Sequence, residues 1–442
     1  MGEVIIRGGT IVTVDSDSHV LSGDVASVDG TLVQVGGSYT PTTSDYEILD
    51  ADGCIVMPGL VQSHVHMCQT LARGRADDLE LLDWLRKVVW PYEASLTADA
   101  MTAAAQLACT ELLLGGTTAI LDMGTVHHTD ALFEVARDAG LRATIGKAMM
   151  DEKDSLTPKQ LQESTENSLA ESARLCRQWH GHDNGRLRYA YAPRFALSCT
   201  DDLLRETARA AGEAQVRIHT HASENRDEIA EVKRRKGCDN IVHLHNVGLT
   251  GSNVALAHCV WLNEQERGLL AETGTHVLHC PSSNLKLGSG IAQIPELMDA
   301  GISVSLGADG APCNNNLDGF LEMRLAALLQ KPRLGSKSMR AATVVKLATM
   351  GGAKALGLDH EIGSLEVGKK CDVIVVDQTG PHVTPTVNPY SAIVYACRAT
   401  DVRHVVVDGR IVARDKGLLT LHVPDVLKNA RSQAQGVFDR MK

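Results

Sequence analysis

The chain predicts an α/β protein: a (β/α)8 TIM-like barrel with a small β-sandwich domain built from both chain ends. Three observations lead there. Strand-like and helix-like stretches alternate through the middle, short glycine-punctuated β runs open the chain and recur near its end, and most central strands finish on ionisable side chains. The expected division is residues 1–57 with 360–420 as the composite β domain, 58–359 as the barrel, and 421–442 as a C-terminal helix.

The β texture runs from Val4 to Val35, with Asp29-Gly30 placed as a hairpin turn between two apolar runs. It returns at Asp372-Val373-Ile374-Val375-Val376 and at His404-Val405-Val406-Val407, followed by the turn Asp408-Gly409 and a further run. Between these ends, strands are expected at 59–66, 117–124, 143–151, 187–195, 216–224, 254–260, 275–281 and 303–310. Eight such strands fit a closed barrel. Thr97 is expected to cap a helix ending at Gly115-Gly116, and Thr157-Pro158 to open one ending near Gly181.

Composition narrows the partners. The 442 residues allow a large domain plus a smaller one, and 43 Lys and Arg against 54 Asp and Glu give a net charge of −11. That balance argues against broad binding to a nucleic acid polymer or an anionic membrane, and for a small-molecule partner. Eleven cysteines, none in Cys-x-x-Cys, read as reduced and mostly buried thiols of a cytoplasmic protein. No run approaches the ~18 apolar residues of a membrane span, and the Met-Gly start with Ile at position 6 is a poor myristoylation match.

In such a barrel the active site lies at the C-terminal ends of the strands. The first expected strand ends in His64 and His66, which share a face because strand side chains alternate. The fifth ends in His219-Thr220-His221-Ala222-Ser223-Glu224, the sixth in His258, the seventh in His279 and the eighth in Asp309. Singly, each has a bland reading: His221 and Glu224 as a surface pair, Asp309-Gly310 as a turn, His258 as a core histidine. Their joint placement at strand ends favours a metal site. His219 is read as a core histidine, His127-His128 as loop, and His279 as a support for a ligand or a loop.

The chain resembles the amidohydrolase superfamily, in particular the group of metal-dependent nucleoside and nucleobase deaminases. The resemblance rests on Pro58-Gly59-Leu60-Val61 before His-x-His, Thr220-His221-Ala222-Ser223-Glu224-Asn225, Ala257-His258-Cys259, the run from His279 to Leu287, Gly307-Ala308-Asp309-Gly310, and Gly363 to Asp372. It implies His64, His66, His221 and Asp309 as ligands of one divalent metal, Zn2+ first and Fe2+ as the alternative. A second metal would call for a lysine ending the fourth strand, where this chain has Tyr191-Ala192-Pro193-Arg194-Phe195. Glu224 is implied as the proton shuttle. His258 is implied to hold the nucleophilic water beside the substrate, and Asp309 to double as proton acceptor.

The implied reaction turns an amino group on a purine ring into a carbonyl with release of ammonia. Trp84 through Trp90-Pro91-Tyr92-Glu93 resembles the segment whose glutamate binds ribose hydroxyls in nucleoside deaminases, which makes Glu93 a substrate-binding candidate. Arg194 and Gln69 resemble guanine-deaminase readers, an arginine suiting a ring nitrogen, carbonyl or carboxylate. The segments at 71–79 and 309–324 look closer to the nucleoside group. The leading expectation is therefore an adenosine-type nucleoside: 5′-deoxyadenosine, methylthioadenosine or adenosylhomocysteine. Guanine, a pterin or an s-triazine is the alternative, and a non-catalytic scaffold the remote one. The state of assembly is open to a homo-oligomer.

Overall fold

The structure is a computed structural model describing residues 2–153 and 157–442. Met1, where the expected composite domain begins, lies outside the described residues. Eight parallel strands pair in chain order: β1 (Leu60–Val65), β2 (Thr117–Met123), β3 (Arg142–Gly146), β4 (Leu187–Pro193), β5 (Arg217–Ala222), β6 (Val254–His258), β7 (His276–His279) and β8 (Val304–Leu306). A bridge between Val65 and Asp309 and a bond of 2.9 Å from Asp309 N to the His64 carbonyl close the ring. Every expected barrel strand is present.

The strands are buried along nearly their whole length, as parallel strands covered by helices must be. Close approach needs glycine at two points. A Cβ on Gly307 would sit 2.6 Å from the His64 carbonyl oxygen, and one on Gly146 would sit 2.6 Å from the Ala190 carbonyl oxygen. At Gly146 β3 stops, and only Ala148–Met149 resumes pairing with β4, so the expected strand to residue 151 is shorter and broken. At the opposite mouth of the barrel, Ala353 and Leu356 of a short helix pack with Val61, Ala119 and Ala255.

Thr97 caps the helix Ala98–Leu114 as expected, accepting a bond from Ala100 N. Thr157 does not act likewise. Pro158 opens only a single turn, Lys159–Leu161, after which Gln162 is extended; the helix Thr165–Trp179 begins at Ser164, whose hydroxyl accepts from Asn167 N at 3.1 Å. A proline permits a helix start, but a hydroxyl that reaches a free N–H decides it.

Strands from both ends of the chain share one sheet. Cys54–Pro58, leading into the barrel, pairs antiparallel with Val373–Asp377, which pairs with Val402–Val407 and then Arg410–Arg414. A four-stranded sheet of Glu3–Arg7, Val25–Val28, Thr31–Val35 and Tyr46–Asp50 packs nearby, Val4, Ile6 and Leu32 sharing an apolar cluster with Val56, Val373 and Val406. The two hairpin turns carry the left-handed pair their sequences call for, with φ of 48° and 82° at Asp29-Gly30 and 51° and 76° at Asp408-Gly409. A helix, Val423–Arg440, follows. All eleven cysteines are free thiols. Among the described residues no helix is long and apolar enough to cross a membrane.

Candidate active site

The strand ends bring five of the predicted side chains together. His64 lies in β1 with His66 just past it, His221 in β5, His258 at the end of β6, and Asp309 beyond β8. Asp309 Oδ1 is 3.3 Å from Nε2 of both His64 and His66, and His66 Nε2 is 3.3 Å from His221 Nε2. His258 Nε2 faces Glu224 Oε2 at 3.5 Å and Asp309 Oδ2 at 3.9 Å. Four residues that shape this mouth, Ser223, His258, Cys259 and Asp309, adopt φ of 52°, 74°, 47° and 64°. Non-glycine residues hold that conformation at a cost, and its clustering marks a functional region.

The hydrogen bonds of the outer ring nitrogens say what the inner ones can do. His66 Nδ1 lies 2.7 Å from the Met123 carbonyl oxygen, and His221 Nδ1 lies 2.7 Å from that of Arg194. A carbonyl only accepts, so both Nδ1 atoms carry the proton and both Nε2 atoms present lone pairs. Two lone pairs facing each other at 3.3 Å beside a carboxylate oxygen repel unless a cation lies among them. His64 Nε2 is likewise buried with no hydrogen-bond partner among the described residues, while its Nδ1 pairs with His219 Nε2 at 2.7 Å. His64, His66 and Asp309 thus form a donor set whose atoms lie within 4.8 Å of one another. Neutral imidazole nitrogens with one carboxylate suit a zinc-like ion.

Electrostatics agree. Burial pulls the His66 imidazole down to about 4 and lowers His64, His219 and His221 as well, so these rings stay neutral. Burial alone would raise Asp309, but the neighbouring imidazoles, His64 first and then His258 and His66, hold it well below the usual carboxylate range. Glu224 shows the opposite balance: burial raises it to about 7 against the opposing charge of His258. For His258, burial pulls down, and the charges of Glu224 and Asp309 more than offset it, leaving the imidazole raised.

A pocket opens on this cluster. His66, Arg194, His221, Glu224, His258 and Asp309 form its polar side; Leu81, Trp84, Leu85, Phe195 and Leu287 form an apolar one. Gln69 and Glu93 do not line it. Glu93 is instead ion-paired with Arg194 and bonded by Gln69 Nε2 at 3.0 Å.

Several supports went unassigned in the sequence. Ser283 Oγ donates to Asp309 Oδ2 at 2.6 Å, and Asn284 Oδ1 accepts from His258 Nδ1 at 2.9 Å. Ser289 Oγ donates to Glu224 Oε1 at 3.2 Å, and Glu228 Oε2 accepts from Glu224 N at 2.8 Å. The Asn225-x-x-Glu228 capping box was a readable signal for the last of these. His219, read as a core histidine, orients His64. His279, read as a support, has neither ring nitrogen bonded among the described residues.

A closed parallel barrel with histidines and an aspartate converging on its C-terminal mouth defines a metal-dependent hydrolase. Residues 55–412 match the amidohydrolase family model, and the chain belongs to that family, hydrolases acting on C–N bonds. It is 39% identical to a 5-methylthioadenosine/S-adenosylhomocysteine deaminase of Syntrophobacter fumaroxidans over 98% of both chains. It is 37% identical to a 5′-deoxyadenosine deaminase of Methanosarcina mazei over 100% of both. Among solved structures, an adenosine deaminase from Xanthomonas campestris with bound zinc superimposes with a TM-score of 0.92 at 30% identity, covering 99% of each chain.

Proposed function

We propose that this chain is a hydrolytic deaminase of an adenosine-type nucleoside, such as 5′-deoxyadenosine, methylthioadenosine or adenosylhomocysteine, working with one zinc ion. The observation that carries the reading is the pairing of Glu224 with His258 in a cavity beside a convergent histidine and aspartate donor set. The full-length similarity to enzymes named for these nucleosides supports the substrate class. His64, His66, His221 and Asp309 would hold the ion. The absence of a lysine at the end of β4 supports a single one.

When bound, the ion would supply Lewis acidity that makes a water nucleophilic near neutral pH. The protein's own groups handle the protons. Glu224 takes one proton from the attacking water and gives it to the ring nitrogen next to the attacked carbon, a task suited to a carboxyl raised to about 7. His258, fixed through Asn284, orients the water and balances the charge that develops on its oxygen. Asp309 relays the second proton to the amino group. The carbon–nitrogen bond breaks, ammonia leaves, and the ring keeps a carbonyl and a protonated neighbouring nitrogen.

An ammonia-release screen over 5′-deoxyadenosine, methylthioadenosine, adenosylhomocysteine, guanine, a pterin and an aminated triazine tests the substrate. Turnover favouring the first three is expected; preference for guanine would overturn the nucleoside reading. Glu224→Gln should keep about one metal per chain and lose at least ~100-fold in kcat, in line with removal of a proton-transfer group. Normal turnover by that variant would remove Glu224 from the mechanism.

A further inference from the structure

Glu93 and Arg194 meet in a buried bidentate pair. Arg194 Nη1 donates to Glu93 Oε2 at 2.6 Å, and Nη2 donates to Oε1 at 3.0 Å. Gln69 Nε2 adds a bond to Oε1 at 3.0 Å, and Thr125 Oγ1 adds one to Oε2 at 3.0 Å. An ionised carboxylate offers about four lone-pair sites, and here four donors fill them. Arg194 lines the cavity, whereas Glu93, Gln69 and Thr125 do not, and the Glu93 side chain is 0% exposed.

We infer that Glu93 is a positioning residue that fixes Arg194, and that Arg194 is the group meeting the substrate at this wall of the cavity. A sugar hydroxyl could bond to Glu93 only by displacing one of its four donors and opening a buried charge pair, which is costly. Arg194 spends two of its roughly five N–H donors on Glu93, and its backbone carbonyl is held by His221 Nδ1 at 2.7 Å. The guanidinium is therefore fixed at both ends, with donors left for the cavity. This wall selects for a hydrogen-bond acceptor on the substrate, a hydroxyl or carbonyl oxygen, and not for a donor.

Given the deaminase reading above, kinetics separate the two roles. The zinc-loaded full chain is assayed with adenosine and 2′,3′-dideoxyadenosine, as wild type, Glu93→Gln, Arg194→Met and the double variant. A positioning role predicts that Glu93→Gln raises KM about tenfold on both nucleosides with kcat nearly held, and that the double variant is no worse than Arg194→Met. A loss confined to adenosine, or losses that multiply in the double variant, would overturn it. Should Glu93→Gln fail to fold, Thr125→Val frees one acceptor site on Glu93. Equal KM changes on both nucleosides then support positioning, and a gain confined to adenosine overturns it. If wild type turns over neither nucleoside, nor any of the 5′-modified nucleosides of the screen above, the deaminase reading fails and takes this assignment with it. Turnover of both with a diol-confined loss sinks this assignment alone.

Discussion

At the scale of single residues, the site is built by fixing protons before any ligand arrives. Carbonyl oxygens hold Nδ1–H of His66 and His221, so that their Nε2 lone pairs converge with Asp309 Oδ1. Asp309 is itself steadied by Ser283 Oγ at 2.6 Å and Gly310 N at 2.7 Å. Partners of this kind commonly account for 10–100-fold in metal affinity. Ser283→Ala should therefore weaken zinc binding about tenfold or more while leaving the far-ultraviolet circular dichroism unchanged. A chelator-competition titration reads it, and unchanged affinity would show that the serine is dispensable. The convergence of His64, His66, His221 and Asp309 was legible because strand-end histidines carry a repeated positional signal. Ser283 and Asn284 were not, since a serine or asparagine in the short helix Pro281–Lys286 acquires its role only when β6, β7 and β8 bring their ends together.

Secondary-structure elements aim these residues. Pro91 lies inside a helical run and donates no N–H, and the turn just before it widens at Leu85–Val89, where Trp90 N bonds to the Leu85 carbonyl. That wider turn changes the helical register ahead of Glu93, so the Trp84-to-Glu93 spacing alone misreads which way the glutamate points. The pairing of Glu93 with Arg194, 101 residues apart, is invisible to local pattern for the same reason. Strand β2 carries a second consequence. Asp122 Oδ1 accepts from Met67 N at 2.7 Å, Oδ2 has no hydrogen-bond partner among the described residues, and burial raises the carboxyl from 3.8 to about 7. The folded state then keeps a proton that the unfolded chain releases near 3.8, so stability falls as pH rises from about 4 to about 7 and changes no further above. At 1.36 kcal/mol per unit the loss is on the order of 4 kcal/mol. Asp122→Asn keeps the Met67 bond without the charge, and its stability relative to wild type should climb across that window. Urea midpoints of the two proteins at pH 4.5 and 7.5 make the comparison, and parallel shifts would refute a protonated Asp122.

On the scale of the whole molecule, the barrel and the sheets from the chain ends are joined through polar as well as apolar contacts. The return of β texture near residue 372 was readable, and so was the Asp408-Gly409 turn, because both are local. What ties them to the barrel is not local. Arg142, at the start of β3, donates from Nε to Asp372 Oδ2 at 2.7 Å and from Nη2 to Asp372 Oδ1 at 2.9 Å, and lies 3.4 Å from Asp408 Oδ1. Asp408 N in turn donates to Asp372 Oδ1 at 2.8 Å. All three side chains are buried, and the charge of Asp372 outweighs the burial that would lower the Arg142 pKa. Removing the arginine strands the Asp372 carboxylate in a dry setting, Asp408 keeping Lys370 Nζ at 3.4 Å, and such a defect typically costs about 3–5 kcal/mol. Arg142→Met should accordingly lower the melting temperature, and adding Asp372→Asn should recover part of the loss, because it removes the stranded charge. The proposed metal ligands lie at the other ends of the strands, so kcat/KM at 20 °C should stay within about twofold of wild type if the defect is one of stability alone. Calorimetry of the single and double variants alongside that assay separates the two effects. A wild-type melting temperature for Arg142→Met would mean that the apolar contacts between barrel and sheets hold the assembly without the arginine.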